Sequence, residues 1–114
     1  MNVQDFSTKV AVRYGQAIGK ENAALDPAMI AVIMQIVTQL IDMFKNCKKK
    51  PADVPPAIKN PSLWERIVVR QQAIDVMGRR EFRQHGGSEL VDSVFAAGKD
   101  LTTPDVQKMF DDAE

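Results

Sequence analysis

DPAMIAVIMQIVTQLIDMFKNCKKKP, residues 26–51, is the stretch on which the fold of this chain turns. Between Pro27 and Phe44 the polar side chains are Gln35, Thr38, Gln39 and Asp42, spaced by three and four. That spacing aligns them on one narrow stripe of a helix and leaves Ile, Val, Leu, Met, Phe and Ala around the rest of the circumference. A helix of this kind is buried on several sides at once. Asp26 followed by Pro27 marks its start: a carboxylate accepts from free backbone N–H groups, and proline stands where no donor is needed. The helix is expected to run to about Lys48 and to end before Pro51.

Three environments satisfy such a helix. Inside a bilayer, its eight Ile, Val, Leu and Phe residues contribute about −4 kcal/mol, which Asp42, the glutamines and the threonine largely offset. The apolar run is also only about 27 Å long, marginal for a hydrocarbon core. In a soluble bundle, the helices before and after it cover it. Between chains, Ile30, Ile33, Val37, Leu40 and Phe44 form one heptad-like seam, with Met29, Ile36 and Met43 beside it as a second. Two seams on one helix, and six methionines suited to adaptable contacts, point to self-association or a larger protein assembly.

Outward from this segment, Val3, Phe6, Val10, Tyr14 and Ala17 share a stripe that predicts an N-terminal amphipathic helix, with Gly19 placed to close it. On the other side, KKKPADVPPAIKNP holds four of the six prolines and predicts an extended arm over residues 51–61. Ser62-Leu-Trp-Glu65 reads as a capping box opening a third helix that continues to His85 and stops at Gly86-Gly87. Ser88 is expected to cap a fourth helix through Ala97, closed by Gly98, and Thr103-Pro104 to open a fifth. No segment alternates with the two-residue period of a strand. The chain reads as all-α: a small helical bundle or hairpin of about five helices, with a proline-rich extended arm between helices 2 and 3. The 114 residues fit a single domain, made of a helical hairpin (1–50), the arm (51–61), and a basic helix followed by two short acidic ones (62–114).

Net charge is zero overall but unevenly placed. Residues 45–85 carry ten Lys or Arg against four acids, and residues 86–114 carry two against seven. A basic middle and an acidic tail are expected to attract each other, within or between chains. Lys45, Lys48, Lys49 and Lys50, with Lys59, cluster at the arm, and Arg79, Arg80 and Arg83 cluster on the third helix as candidate contacts to nucleic-acid phosphates. No aromatic residues interleave with them to stack bases, so such binding would be nonspecific. Leu63, Ile67, Ala73, Ile74 and Met77 share a face of the third helix on which Arg66 and Arg70 also fall. Burying that face requires that the guanidinium groups reach water or a carboxylate; Asp42 is the first candidate partner, in a buried ion pair, and the acidic tail of another copy is the other.

Catalytic and metal chemistry find little purchase. Cys47 and His85 are single and lie at the ends of different helices. The acids Asp100, Asp105, Asp111 and Asp112 fail as a calcium loop, because Pro104 occupies a ligand position and no glycine makes the turn. Gly86-Gly87 lacks the lysine of a phosphate loop. No catalytic residue, metal ligand, cofactor or small-molecule substrate is inferred. The single cysteine fits a reducing compartment, and MNVQDFSTKV has no basic region leading into an apolar run, so no secretory signal is read. The expected location is the cytoplasm or a particle assembled inside the cell. The expected function is a noncatalytic structural or assembly protein making helix-mediated contacts, as a homo-oligomer or as a subunit of a virion or appendage. The alternatives are a nonspecific nucleic-acid-binding accessory protein and a small membrane-associated protein with one apolar helix.

Overall fold

A computed structural model describes residues 2–20, 26–46, 63–85 and 87–112, the side chains at 43–46, 63–65, 103 and 110 excepted. Over these residues the chain is helical and no strand occurs. The arm at 51–61, the Ser62 cap, Cys47 and the lysines at 48, 49, 50 and 59 lie outside the described residues, as does the Lys45 side chain.

Helix α1 (Val3–Ile18) begins at Asn2, whose side chain accepts from the Asp5 N–H at 2.8 Å. It ends at Gly19, whose φ of 70° lets the Lys20 N–H return to the Gly15 carbonyl at 3.0 Å. Its buried stripe is Phe6, Val10, Ala11 and Tyr14, close to the expected one, with Ala17 exposed. Helix α2 (Pro27–Asn46) starts as its sequence requires: Asp26 Oδ1 accepts from the Ala28 N–H at 3.0 Å. Ile33, Ile36, Val37, Leu40 and Ile41 are buried, the i, i+3, i+4, i+7, i+8 pattern of one helical face, while Gln35, Gln39 and Asp42 are exposed. Both α1 and α3 (Leu63–Met77) pack against α2.

In α3, three apolar residues in a row, Ile67, Val68 and Val69, turn through about 200° of helix, so they cannot all face inward. Val69 faces the core, with Ala73 one turn on, and Ile67 is left 57% exposed. Of the expected face, Ala73 is buried and Ile74 and Met77 pack against the core, while Ile67 does not; the Leu63 side chain lies outside the described residues. The third helix also does not run unbroken to His85. Gly78 adopts φ 88° and ψ 153°, a region essentially closed to residues with a Cβ, and the chain restarts as α4 (Arg79–Gln84). With this break the described residues form six helices where about five were expected.

Helix α5 (Gly87–Gly98) packs on α1 and α3 through Leu90, Val91, Val94, Phe95 and Ala97. It starts a residue before Ser88, which is exposed within the first turn rather than capping it. A Cβ at Gly87 would collide with the Phe82 ring, so the absent side chain lets α4 lie close against α5. Helix α6 (Thr103–Asp112) is opened by Thr102 and Asp105, each side chain accepting from the other's backbone N–H, at 3.4 and 3.2 Å. The Thr102 bonds hold the Asp105 carboxyl below its ordinary value of 3.8. Val106 and Met109 of α6 join Leu101 in the core.

Candidate anion-binding face

The residues expected to form an intermolecular seam on α2 are largely covered within the chain. Ile33, Ile36, Val37 and Leu40 are at most 1% exposed, and Met29 and Ile30 are half-buried against the same core. The side chains of Met43 and Phe44 lie outside the described residues. Covering comes from α1 on one side and α3 on the other. What α2 still presents is a shallow surface of Ala31, Met34, Gln35, Thr38 and Gln39. Among the described residues, no helix is long and apolar enough to cross a membrane.

Charge follows the expected plan in part: Asp92 of the acidic stretch pairs with Arg66 of the basic middle, but the expected pair with Asp42 is not made. Arg66 is not buried with Asp42. It is half-exposed on α3, bonds Asp92 of α5, and lies over the Phe95 ring with its guanidinium carbon 5.3 Å from the centroid. Asp42 is exposed. Arg70 is exposed as well and lies 5.9 Å from the centroid of Phe82. The geometry has a simple cause: the α3 core face runs through Val69 and Ala73, which turns Arg66 and Arg70 toward solvent and toward α4 and α5. From the acidic end, Asp100 bonds Arg13 of α1 and lies 3.5 Å from Lys9. This part of the tail thus pairs with the first helix rather than with the basic middle.

Of the six arginines, Arg13 and Arg66 have carboxylate partners. Among the described residues, no carboxylate lies within ion-pair distance of Arg70, Arg79, Arg80 or Arg83. All four are exposed, on α3 and α4. Arg70, Arg79 and Arg83 converge with Gln71, Ile74 and Phe82 on a cleft of ≈ 120 Å³. A second cleft of ≈ 190 Å³, lined by Arg66, Ile67, Arg70, Phe82, Ser88 and Val91, adjoins it through Arg70 and Phe82. The two clefts thus share Arg70 and Phe82, and Ile67 lines the second.

Arg79 and Arg83 were legible as a cationic pair one turn apart. The part played by Arg70, and by Phe82 as the ring beneath it, was not. Its signal lies in Gly78: a glycine inside a helical pattern, directly before Arg79-Arg80, folds the arginines of α4 back toward α3.

A larger groove of ≈ 600 Å³ lies between the end of α1, the start of α2 and the α4–α5 corner. Tyr14, Ile18, Met29 and Val32 give it apolar walls, and Lys20, Asp26, His85 and Glu89 stand around it. The Tyr14 hydroxyl donates to the His85 carbonyl. Burial, with the charge of Glu89 nearby, pushes that hydroxyl above its ordinary value of 10.0. Among the described residues, no hydrogen bond joins the four charged or titratable groups to one another, so no nucleophile–base pair is assembled there. Also among the described residues, no three His, Cys, Asp or Glu are grouped to hold a metal ion. No protein-family model matches the chain, and neither the curated proteins nor the solved structures compared with it give a match.

Proposed function

We propose that this chain is a noncatalytic assembly component that docks onto a larger protein particle, of the kind a virion or an appendage represents, through the face formed by α3 and α4. The observation that carries this reading is the company kept by Ile67, 57% exposed between Arg66 and Arg70. Among the described residues the other large apolar side chain left exposed is Val12, at 39%. Arginines held over aromatic rings around an exposed aliphatic residue have the composition of the centre of a protein–protein contact. The four arginines without carboxylates favour a partner that brings acidic groups to meet them.

Size in solution tests the reading. Light scattering on the purified chain and on its native extract is expected to find it in a species larger than one chain. Ile67→Glu should release it as a folded single chain. A wild-type chain that stays single in both settings removes the proposal. A second reading, nonspecific nucleic-acid binding, is favoured by Arg79, Arg80 and Arg83 standing exposed without acids. Its mark is an affinity that falls steeply with salt and does not depend on base sequence.

A further inference from the structure

Two features stand outside the docking reading, the Tyr14 groove and the exposed strip of α2, and a third, the arginine cleft between α3 and α4, lies on the docking face itself. The groove mixes Lys20 and His85 with Asp26 and Glu89 and so favours no one charge of ligand. The α2 strip is shallow and has nothing to name what covers it. The cleft is chemically one-sided.

We propose that the cleft lined by Arg70, Arg79 and Arg83 is a binding site for a doubly charged phosphate group. Three arginines from two helices line one space, and like charges brought to one place are eased by an anion among them. The protein's other arginines show what it does when an acid is provided internally: Arg13 takes Asp100, and Arg66 takes Asp92. Asp75, near the cleft along α3, accepts instead from the Gln71 amide at 2.9 Å and lies outside ion-pair distance of the three arginines. Glu81 on α4 is exposed and likewise outside that distance.

Size and shape agree with the charge. The cleft, at ≈ 120 Å³, is large enough to admit a tetrahedral oxyanion. A carboxylate is planar, carries one charge and is satisfied by one guanidinium fork. A phosphate group carries up to two charges at neutral pH and offers three oxygens to three forks. The site is also held ready: Arg70 lies over Phe82, Phe82 is 6% exposed against Gly87, and Gly78 fixes how α4 leaves α3. Arg80, on the same short helix, does not line the cleft. The phosphate comes either from the 5′ end of a nucleic-acid strand or free from solution. The site does not require the assembly reading, and each stands if the other fails.

Calorimetry on the full chain at constant ionic strength tests it, with inorganic phosphate as the probe and chloride as the balancing anion. Saturable one-to-one binding is expected. Arg70→Gln, Arg79→Gln and Arg83→Gln should each weaken it about tenfold, while Arg80→Gln changes it less than twofold. All four positions are exposed, and circular dichroism confirms that the variants fold. A 5′-phosphorylated oligonucleotide that binds at least tenfold tighter than its unphosphorylated twin, and is displaced by phosphate, identifies the strand end as the source. Equal binding of the two, with phosphate binding intact, identifies free phosphate. No saturable phosphate binding, or an equal loss from Arg80→Gln, overturns the site in favour of diffuse surface charge.

Discussion

Helices α2 and α3 lie against each other, and they use their apolar residues in opposite ways. In α2 the four polar residues fall on one stripe, so one rotation of the helix buries Ile33, Ile36, Val37, Leu40 and Ile41 and exposes Gln35, Gln39 and Asp42. In α3 the apolar residues come in runs of three and two broken by Arg66, by Arg70 with two glutamines, and by Asp75, and no rotation buries them all. Val69 and Ala73 face the core, and Ile67, Arg66 and Arg70 remain outside. The most hydrophobic helix thus builds the fold. The less regular one supplies the surface through which, on the proposed reading, the chain meets a partner.

The largest expected effect breaks or sustains that contrast directly. Leu40→Ala removes a fully buried side chain and should cost about 3 kcal/mol in urea denaturation. Ile67→Ala, at a position 57% exposed, should cost no more than about 0.5 kcal/mol. Similar losses at the two positions would mean that α3 is buried as deeply as α2.

Gly78→Ala sharpens the comparison by its sign. In a continuous helix, alanine for glycine stabilises by about 1 kcal/mol. At φ 88° and ψ 153° the same change is expected to destabilise by about 1–3 kcal/mol. Nothing lies within 4 Å of the added Cβ, so crowding cannot account for a loss. A gain in melting temperature would restore the single helix from 62 to 85.

Tyr14→Phe has a smaller expected effect, about 1 kcal/mol, from the lost hydrogen bond to the His85 carbonyl. Its pH dependence fixes the cause. The Tyr14 hydroxyl ionises at higher pH in the fold than in the unfolded chain, so the unfolded chain loses its proton first. Its contribution is intact below about pH 10 and is lost as pH rises through the raised value in the fold. The stability difference between wild type and Tyr14→Phe should therefore shrink in alkaline solution. A difference independent of pH between 8 and 11 would assign the effect to packing alone.

Much of the fold was legible in the sequence because its signals are local. The Asp26-Pro27 start, the Gly19 stop and the faces of α1 and α2 depend on neighbours within a turn or two. What was not legible depends on which residue wins a contest between helices. Arg66 found Asp92 rather than Asp42, because the rotation of α3 follows Val69, and that preference needs the shape of the core. The seam on α2 has the pattern of an intermolecular contact, but periodicity records only that a face is buried, not whose side chains bury it. The acidic stretch meets the basic middle through Asp92 and Arg66, but Leu101, Val106 and Met109 tie its end into the core, so removing that end would take away core as well as charge. Point changes on α4 are the cleaner probe of the basic surface.

The central claim is that the chain builds its fold with α2 and meets its partner with α3 and α4. Light scattering on the native assembly, after one substitution on each surface, tests this most directly. Ile67→Glu should release a folded single chain, whereas Ala31→Arg, on the exposed strip of α2, should leave the assembly intact. The reverse outcome, release by Ala31→Arg and full assembly with Ile67→Glu, would contradict the account.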